Sequence, residues 1–161
     1  MENSAALLLM VEPPRGMYTA KLDPGGRIKL PTAFLPFFHA LREKTLFITS
    51  LDRKIAQIYP LAIWRENEKW FETYRDDPSL AKNLAFNAAD LGAEASMDSQ
   101  GRILFPQELR QELGIENQPV RIYAYKGRFE VLSEKVYQER RHEAAQLSTA
   151  DVAKAEAAGL R

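Results

Sequence analysis

Residues 22–31 read Leu-Asp-Pro-Gly-Gly-Arg-Ile-Lys-Leu-Pro, and residues 97–106 read Met-Asp-Ser-Gln-Gly-Arg-Ile-Leu-Phe-Pro. The second stretch repeats the first 75 positions further along a chain of 161 residues. Both follow one frame: an apolar residue, Asp, two variable positions, Gly-Arg-Ile, one variable position, an apolar residue and Pro. An internal repeat of this kind predicts that one supersecondary unit occurs twice in the chain.

Each copy of this frame predicts the same order of elements. An alternating stretch precedes the turn at Asp-x-x-Gly, and a short strand follows it. The proline then stops that strand and opens a short helix, after which a hairpin and a further helix start are predicted. The strands are predicted at 17–22, 45–50, 55–59, 93–97, 120–125 and 128–132, and the helices at 32–38, 107–113 and from 61 and 134 onward.

The predicted fold class is therefore α+β, mainly β, built from two tandem repeats with flanking helices. A further helix is predicted at 78–88 with Asp77 as its N-cap, and the Ala-rich tail at 148–161 is expected to fray. The predicted segments are an N-terminal extension (1–14), a first repeat (15–60), connecting helices (61–90), a second repeat (91–133) and a C-terminal helix with tail (134–161).

The aspartates and glycines of the frame are residue types that a tight turn needs. Asp accepts backbone N–H bonds within the turn, and Gly supplies the positive φ that ends it. A turn does not need the arginines, Arg27 and Arg102. Each could form an ion pair with its nearby aspartate, or present a guanidinium fork to a phosphate or to the edge of a guanine. The spacing alone leaves both interpretations open.

Charge is distributed unevenly along a chain whose total is neutral, with 22 Lys and Arg against 22 Asp and Glu. Residues 16–54 carry a local excess of four positive charges, residues 61–97 an excess of three negative charges, and residues 98–128 are close to balanced. A polyanion responds to the nearest face rather than to the total. Lys21 and Lys29 flank the first turn, and because of their positive charge we include both among the residues expected to contact a polyanion.

Several functional classes find little support in the composition. The chain has no cysteine and two histidines, so thiol chemistry and imidazole-rich metal sites are not expected. Asp23 and Asp98 with His39 as a base would be an imaginable catalytic set, but no phosphate-binding loop or nucleophile elbow accompanies them. We therefore predict no enzyme activity, no metal and no cofactor. The longest apolar run, Ala5 to Val11, is far shorter than the roughly 20 residues that span a bilayer, so we expect a soluble cytoplasmic protein without a membrane partner.

The doubled frame resembles the MraZ family, which belongs to the wider AbrB/SpoVT group of swapped-hairpin β-barrels. The resemblance runs from about residue 15 to residue 143. The motifs that carry it besides the frame are Arg15-Gly16 with Tyr18, Tyr59-Pro60-Leu61 followed by Trp64, and Gly127-Arg128-Phe129-Glu130.

This resemblance implies a bacterial transcriptional regulator whose two AbrB-like repeats interleave into one pseudo-twofold barrel. It also implies a ring-shaped homo-oligomer, associated with the nucleoid, that binds short direct repeats in double-stranded DNA near the promoter of the division and cell-wall gene cluster. The residues implied to face DNA are Asp23 and Arg27 in the first copy and Asp98 and Arg102 in the second. The first turn holds Pro24-Gly25 and the second Ser99-Gln100, so the two copies need not be equivalent.

The alternative is a protein-interaction module of the antitoxin type, in which residues 144–161 would cover a partner. Such relatives of the barrel group are usually short, single-copy chains with a long disordered end, whereas this chain carries two copies and a modest tail. The aromatics Trp64, Trp70, Phe71 and Tyr74 fall at helical spacings. They are therefore expected to make core or interface contacts rather than a platform for stacked bases.

Overall fold

The computed structural model describes residues 11–161 and gives both halves of the chain the predicted order of elements. The first half contains β1 (Tyr18–Lys21), β2 (Arg27–Lys29), a 3₁₀ turn (Thr32–Phe34), α1 (Leu35–Ala40), β3 (Leu46–Thr49) and β4 (Ala56–Pro60), and two helices follow, α2 (Leu61–Thr73) and α3 (Pro78–Leu91). The second half contains β5 (Ala93–Ala95), β6 (Arg102–Leu104), α4 (Gln107–Leu113), β7 (Pro119–Tyr125), β8 (Arg128–Ser133), α5 (Glu134–Ala144) and α6 (Thr149–Ala157). Most of the N-terminal extension and of the apolar run Ala5 to Val11 lies outside the described residues.

The strands of the two halves pair with each other rather than forming two separate sheets. A six-stranded antiparallel sheet has the order β1-β7-β8-β4-β3-β5, and a two-stranded ribbon joins β2 to β6. Strand β1 of the first half thus lies against β7 of the second, and β5 of the second half lies against β3 of the first. Each half therefore supplies an edge strand to the hairpin of the other.

The predicted α+β class is confirmed, but the prediction of a closed β-barrel is wrong for the described residues. The edge strands of the large sheet, β1 and β5, do not pair with each other. Both are short, with four and three residues. After β1 and after β5 the chain enters a turn and then a strand of the separate β2–β6 ribbon. The chain therefore leaves the large sheet before β1 and β5 can pair, and the sheet stays open.

Two aromatic clusters occupy the core. Phe129 on β8 is completely buried, and its ring centre lies 5.1, 5.2 and 5.1 Å from those of Phe34, Phe37 and Phe38. These three phenylalanines come from the short helical segment that follows the first turn, so the segment is anchored to the sheet of the second half. Edge-on and tilted ring pairs at such distances add stability beyond the area that they bury.

The second cluster surrounds Trp64 of α2, which lies 4.6 Å from Phe47 and 4.9 Å from Tyr59 between ring centres. Trp64 is buried, as expected of a core residue. Trp70 is instead 37% exposed and stacks on Tyr74 at 4.4 Å. The helical aromatics are therefore divided between the core and the surface.

The ends of the helices follow their capping residues. Asp77 accepts a hydrogen bond from the backbone N–H of Leu80 at 3.1 Å, which confirms it as the N-cap of α3. The tail that was expected to fray forms α6 instead, because Ser148 and Asp151 make a reciprocal capping box. Among residues 11–161, no helix combines the length and the apolar character needed to cross a membrane.

Candidate nucleic-acid interface

The two repeated turns have the same backbone hydrogen bonds. In the first, Oδ1 of Asp23 accepts the N–H groups of Gly25 and Arg27, each at 2.9 Å. In the second, Oδ1 of Asp98 accepts the N–H groups of residues 100 and 102, also at 2.9 Å. The fourth residue of each turn is a glycine with positive φ, 85° at Gly26 and 75° at position 101. The aspartates and glycines are thus confirmed as turn residues.

The β2–β6 ribbon connects the two turns, which lie at its opposite ends. Its antiparallel register sets Arg27 opposite Leu104 and Lys29 opposite Arg102. Further bonds of 2.9 Å join the N–H of residue 30 to the carbonyl of residue 101, and the N–H of residue 105 to the carbonyl of residue 26. The central pair of the ribbon, Ile28 and Ile103, is completely buried, so the alternating residues point the other way. We call these four residues the outer face of the ribbon: Arg27, Lys29, Arg102 and Leu104.

The arginines of the two copies differ in their contacts. Arg102 donates from Nε to Oδ2 of Asp98 at 2.9 Å and so forms the local ion pair that was one of the two interpretations. Arg27 makes no ion pair with any of the described acidic residues. Its guanidinium lies over Gly25 instead, since a methyl group at position 25 would be 3.1 Å from Nη1 of Arg27. Arg102 is held against its turn, whereas Arg27 has its fork available.

The lysines beside the first turn also differ. Lys29 donates from Nζ to the backbone carbonyl of Gln100, so it ties β2 to the second turn. Lys21 ends β1 and is exposed. The next residue, Leu22, bridges to Ile28 of β2, which places Lys21 beside the ribbon. The structure thus brings five of the predicted residues together around the ribbon, with Lys21 at its side.

The electrostatics of the aspartates follow from these bonds. The backbone N–H of Arg27 lowers the pKa of Asp23, and the N–H of Gly25 and the charges of Arg102 and Arg27 lower it further. The backbone N–H of Arg102 likewise lowers the pKa of Asp98, and its guanidinium adds to the effect. Both carboxylates are therefore held in the ionised form. In both turns Oδ1 is engaged by two backbone N–H groups, and in the second turn Oδ2 is also engaged, by Arg102.

A groove of about 390 Å³ runs beside the outer face of the ribbon. Arg27, Arg102 and Leu104 line it from the ribbon, and residues 93–96 line it from the start of the second half. Asp98 and Pro106 complete the lining, so two guanidinium groups and the carboxylates of Glu94 and Asp98 share the groove with small apolar side chains. His39, the residue considered as a base, lies on α1 and is exposed, and its carbonyl accepts a bond from Lys44.

Comparison with known proteins places the chain in a family. It is 30% identical over 125 residues to the transcriptional regulator MraZ of Acidobacterium capsulatum, an alignment that covers 78% of this chain and 85% of the relative. The chain belongs to the MraZ family. A family model described as "MraZ protein, putative antitoxin-like" matches residues 92–158. The MraZ regulators of Halorhodospira halophila and Herpetosiphon aurantiacus are 31% and 32% identical, over 79% and 65% of this chain and 84% and 71% of their own lengths.

This membership confirms the resemblance to MraZ proteins that the doubled frame carries. The relatives are named as transcriptional regulators, which also confirms the prediction that this MraZ-family chain is not an enzyme.

Sequence reasoning missed one residue of the MraZ-type turns, Arg110 of α4. Its guanidinium packs so closely against Gly26 that a methyl group there would overlap it, and it pairs with Glu116 at 3.1 Å. The equivalent position of the first copy is Leu35, which packs against Gly101 in the same way. A charged residue at a position that is apolar in the other copy was the signal that could have identified it.

Replacement of Asp98 by asparagine tests the ionic part of the second turn. Asparagine keeps an oxygen acceptor for the backbone N–H groups but loses the charge that pairs with Arg102. Because the folded-state pKa of Asp98 is lowered, its ionised form stabilises the fold above the unfolded pKa of about 4, and this contribution is lost as the pH falls through the folded value. We expect Asp98→Asn to lower Tm at pH 7.

Thermal unfolding of wild type and Asp98→Asn between pH 7 and pH 2 measures this effect. The difference in Tm should be full at neutral pH, shrink below about pH 4 and then disappear. A difference that is independent of pH would show that the variant acts through packing rather than through the charge.

Proposed function

We propose that this MraZ-family protein is a sequence-specific DNA-binding transcriptional regulator. The observation that carries the proposal is the outer face of the ribbon, where Arg27, Lys29 and Arg102 project together from two short strands. A two-stranded ribbon fits the major groove of B-DNA, which is about 12 Å wide. The names of the relatives, transcriptional regulators, support the same function.

The contacts of the individual side chains indicate which of them would bind a base and which a phosphate. Arg27 has its fork available and reads a guanine through O6 and N7, the most common specific arginine contact. Arg102, braced by Asp98, presents its remaining N–H groups to a phosphate. Lys21 and Lys29 contact the phosphate backbone beside it. Asp23 and Asp98 hold the turns that carry both arginines.

The exchange of edge strands between the halves supports a pseudo-twofold, swapped-hairpin arrangement of the AbrB type. Residues 15–60 and 91–133 would be its two repeats, with 61–90 as the connecting helices and 134–161 as the C-terminal segment. In this arrangement one chain carries two related turns on one ribbon. One such chain would therefore be equivalent to a dimer of single-copy chains.

A neutral chain with one short ribbon would bind DNA weakly, so we also propose that the protein acts as a ring-shaped homo-oligomer. Several linked copies on spaced direct repeats raise the overall affinity by factors of about 10²–10⁴. The repeats would lie near the promoter of the protein's own division and cell-wall gene cluster. The protein would therefore work in the cytoplasm, associated with the nucleoid.

A second candidate function is binding of a protein partner, as in antitoxins. The description of the family model includes the term antitoxin-like, and α6 is exposed along nearly its whole length, Val152 included. In that case residues 144–161 would bind the partner, and the ribbon would not carry the function. Deletion of residues 148–161 separates the two functions, because DNA binding through the ribbon should survive it.

Selection of duplexes from a random pool, followed by a salt titration, tests the proposed function. We expect the protein to enrich one short sequence, and we expect this sequence to recur as direct repeats upstream of its own gene. We call a duplex that carries this sequence the operator duplex. Its binding should weaken steeply with salt, with a slope of log K against log salt of about −0.9 for each phosphate contact.

Lys21→Gln sharpens the titration, because Lys21 is assigned a phosphate contact and no base contact. The variant should weaken binding to every duplex by the same factor and reduce the salt slope by about one. Enrichment of no sequence, or binding that is insensitive to salt, would contradict the proposed function.

A further inference from the structure

Leu104 is the one apolar residue of the outer face of the ribbon. Its side chain is 47% exposed, although the residues before and after it, Ile103 and Phe105, are completely buried. The corresponding residue of the first copy is Lys29. A single exposed leucine is common on protein surfaces and means little by itself. Leu104, however, lies on a cationic face next to an arginine with an available fork, so it is placed to contact the same ligand as that arginine.

The cross-strand partner of Leu104 is Arg27. In the other outward pair, each side chain makes one bond to the second turn: Nζ of Lys29 donates to the carbonyl of Gln100, and Nε of Arg102 donates to Asp98. The guanidinium of Arg27 packs over Gly25 but makes no side-chain hydrogen bond or ion pair with the described residues, and Leu104 can make none. Cross-strand neighbours have Cβ atoms about 4.5–5.5 Å apart, so their side chains can act on one short stretch of a ligand.

The chemistry of the major groove determines what such a pair can recognise. Base edges there present hydrogen-bond donors and acceptors, and the C5-methyl of thymine is their apolar group. Leucine cannot form a hydrogen bond with a base edge, but it can bury that methyl. Successive bases are about 3.4 Å apart, so a separation of roughly 5 Å between the two side chains corresponds to one or two base steps.

We propose that Leu104 is a specificity-determining residue that contacts the C5-methyl of a thymine one or two base steps from the guanine read by Arg27. This inference rests on the proposed function, because it takes the outer face of the ribbon to lie in the major groove. Leu104, Ala93 and Ala95 are apolar members of the groove lining, and they offer the methyl a contact beside the charged side chains that line the rest.

Replacement of thymine by deoxyuridine tests this contact, because it removes the methyl and leaves every hydrogen-bonding group in place. Each thymine of the operator duplex is replaced in turn, and affinity is measured by fluorescence anisotropy with wild type and with Leu104→Ala. Deoxyuridine at one thymine, within two steps of a guanine, should lower the affinity of wild type for the duplex about fourfold, the factor that corresponds to burial of one methyl group. Leu104→Ala should bind that deoxyuridine duplex and the unmodified operator duplex with equal affinity.

Leu147→Ala is the matched control, because Leu147 is also an exposed leucine, at 67%, but lies between α5 and α6 and is not part of the ribbon. It should retain the full effect of deoxyuridine. The size of the assembly is measured for each variant by light scattering. No loss with deoxyuridine in wild type, or a loss that persists in Leu104→Ala, would overturn the inference.

These outcomes differ from failure of the proposed function itself. If the random pool yields no enriched sequence, the protein does not read DNA, and the inference falls with the proposed function. If a sequence is enriched but contains no thymine within two steps of a guanine, the proposed function stands and the role of Leu104 is wrong. A smaller assembly in Leu104→Ala, together with no deoxyuridine effect in wild type, would identify Leu104 as a contact between copies.

Discussion

Arg27→Ala should remove most of the preference of this protein for the operator duplex over a scrambled duplex. A bidentate contact between arginine and guanine discriminates by about 1–3 kcal/mol, which corresponds to roughly 5- to 160-fold for each repeat. Arg27 makes no ion pair with the described acidic residues, so the variant leaves no buried charge unpaired, and its fold should persist. Anisotropy titrations with both duplexes at one salt concentration measure the ratio of affinities.

Arg102→Ala should cost less specificity than Arg27→Ala, because the Nε of Arg102 is already committed to Asp98. It should weaken binding to the operator duplex and to the scrambled duplex by similar factors. Arg141→Ala is the charge-matched control, since Arg141 is exposed on α5. Equal losses of specificity in the Arg27 and Arg102 variants would mean that the ion pair of the second turn opens on DNA. An equal loss in Arg141→Ala would mean that the effect is one of general charge.

Phe129→Ala should be the most destabilising of the simple core substitutions. Its ring is completely buried and lies within 5.2 Å of three other phenylalanine rings, so its removal leaves a cavity at the junction of the two halves. Phenylalanine-to-alanine substitutions in cores cost about 3–5 kcal/mol. For a chain of this length, that corresponds to a decrease in Tm of about 6–20 °C.

Phe86→Ala provides the matched comparison, because Phe86 lies on α3 with 64% of its surface exposed. Its substitution should change the free energy of unfolding by less than about 0.5 kcal/mol. Chemical denaturation of the two variants and of wild type measures the difference. Similar stabilities for both variants would contradict the placement of the phenylalanine cluster in the core.

The repeated frame predicted the order of elements, because turn residues and strand periodicity act locally. It could not predict how the strands pair. Whether β1 joins the hairpin of its own half or that of the other half depends on contacts between residues about 100 positions apart. The same limit applies to closure of the sheet, which depends on where the edge strands leave it. Local patterns carry no information on either point.

The repeated frame also could not predict that Arg27 and Arg102 make different contacts, since both arginines follow their aspartate at the same spacing.

The charge count along the sequence was misleading at Arg53, which contributed to the positive excess of residues 16–54. Its guanidinium is instead engaged by Asp90 at 2.6 Å, Asn87 at 2.7 Å and Glu112 at 3.3 Å, so it ties the first hairpin to α3 and α4. Helix α6, by contrast, could have been predicted, because Ser148 and Asp151 stand at the spacing of a capping box.

The most direct test of whether the ribbon reads DNA is the affinity ratio between operator and scrambled duplexes, compared for wild type and for the double variant Arg27→Ala/Arg102→Ala. Circular dichroism and light scattering first establish that the two proteins fold and assemble alike. Wild type should clearly prefer the operator duplex, and the double variant should lose this preference. A double variant that keeps the wild-type preference would show that the ribbon is not the surface that reads DNA.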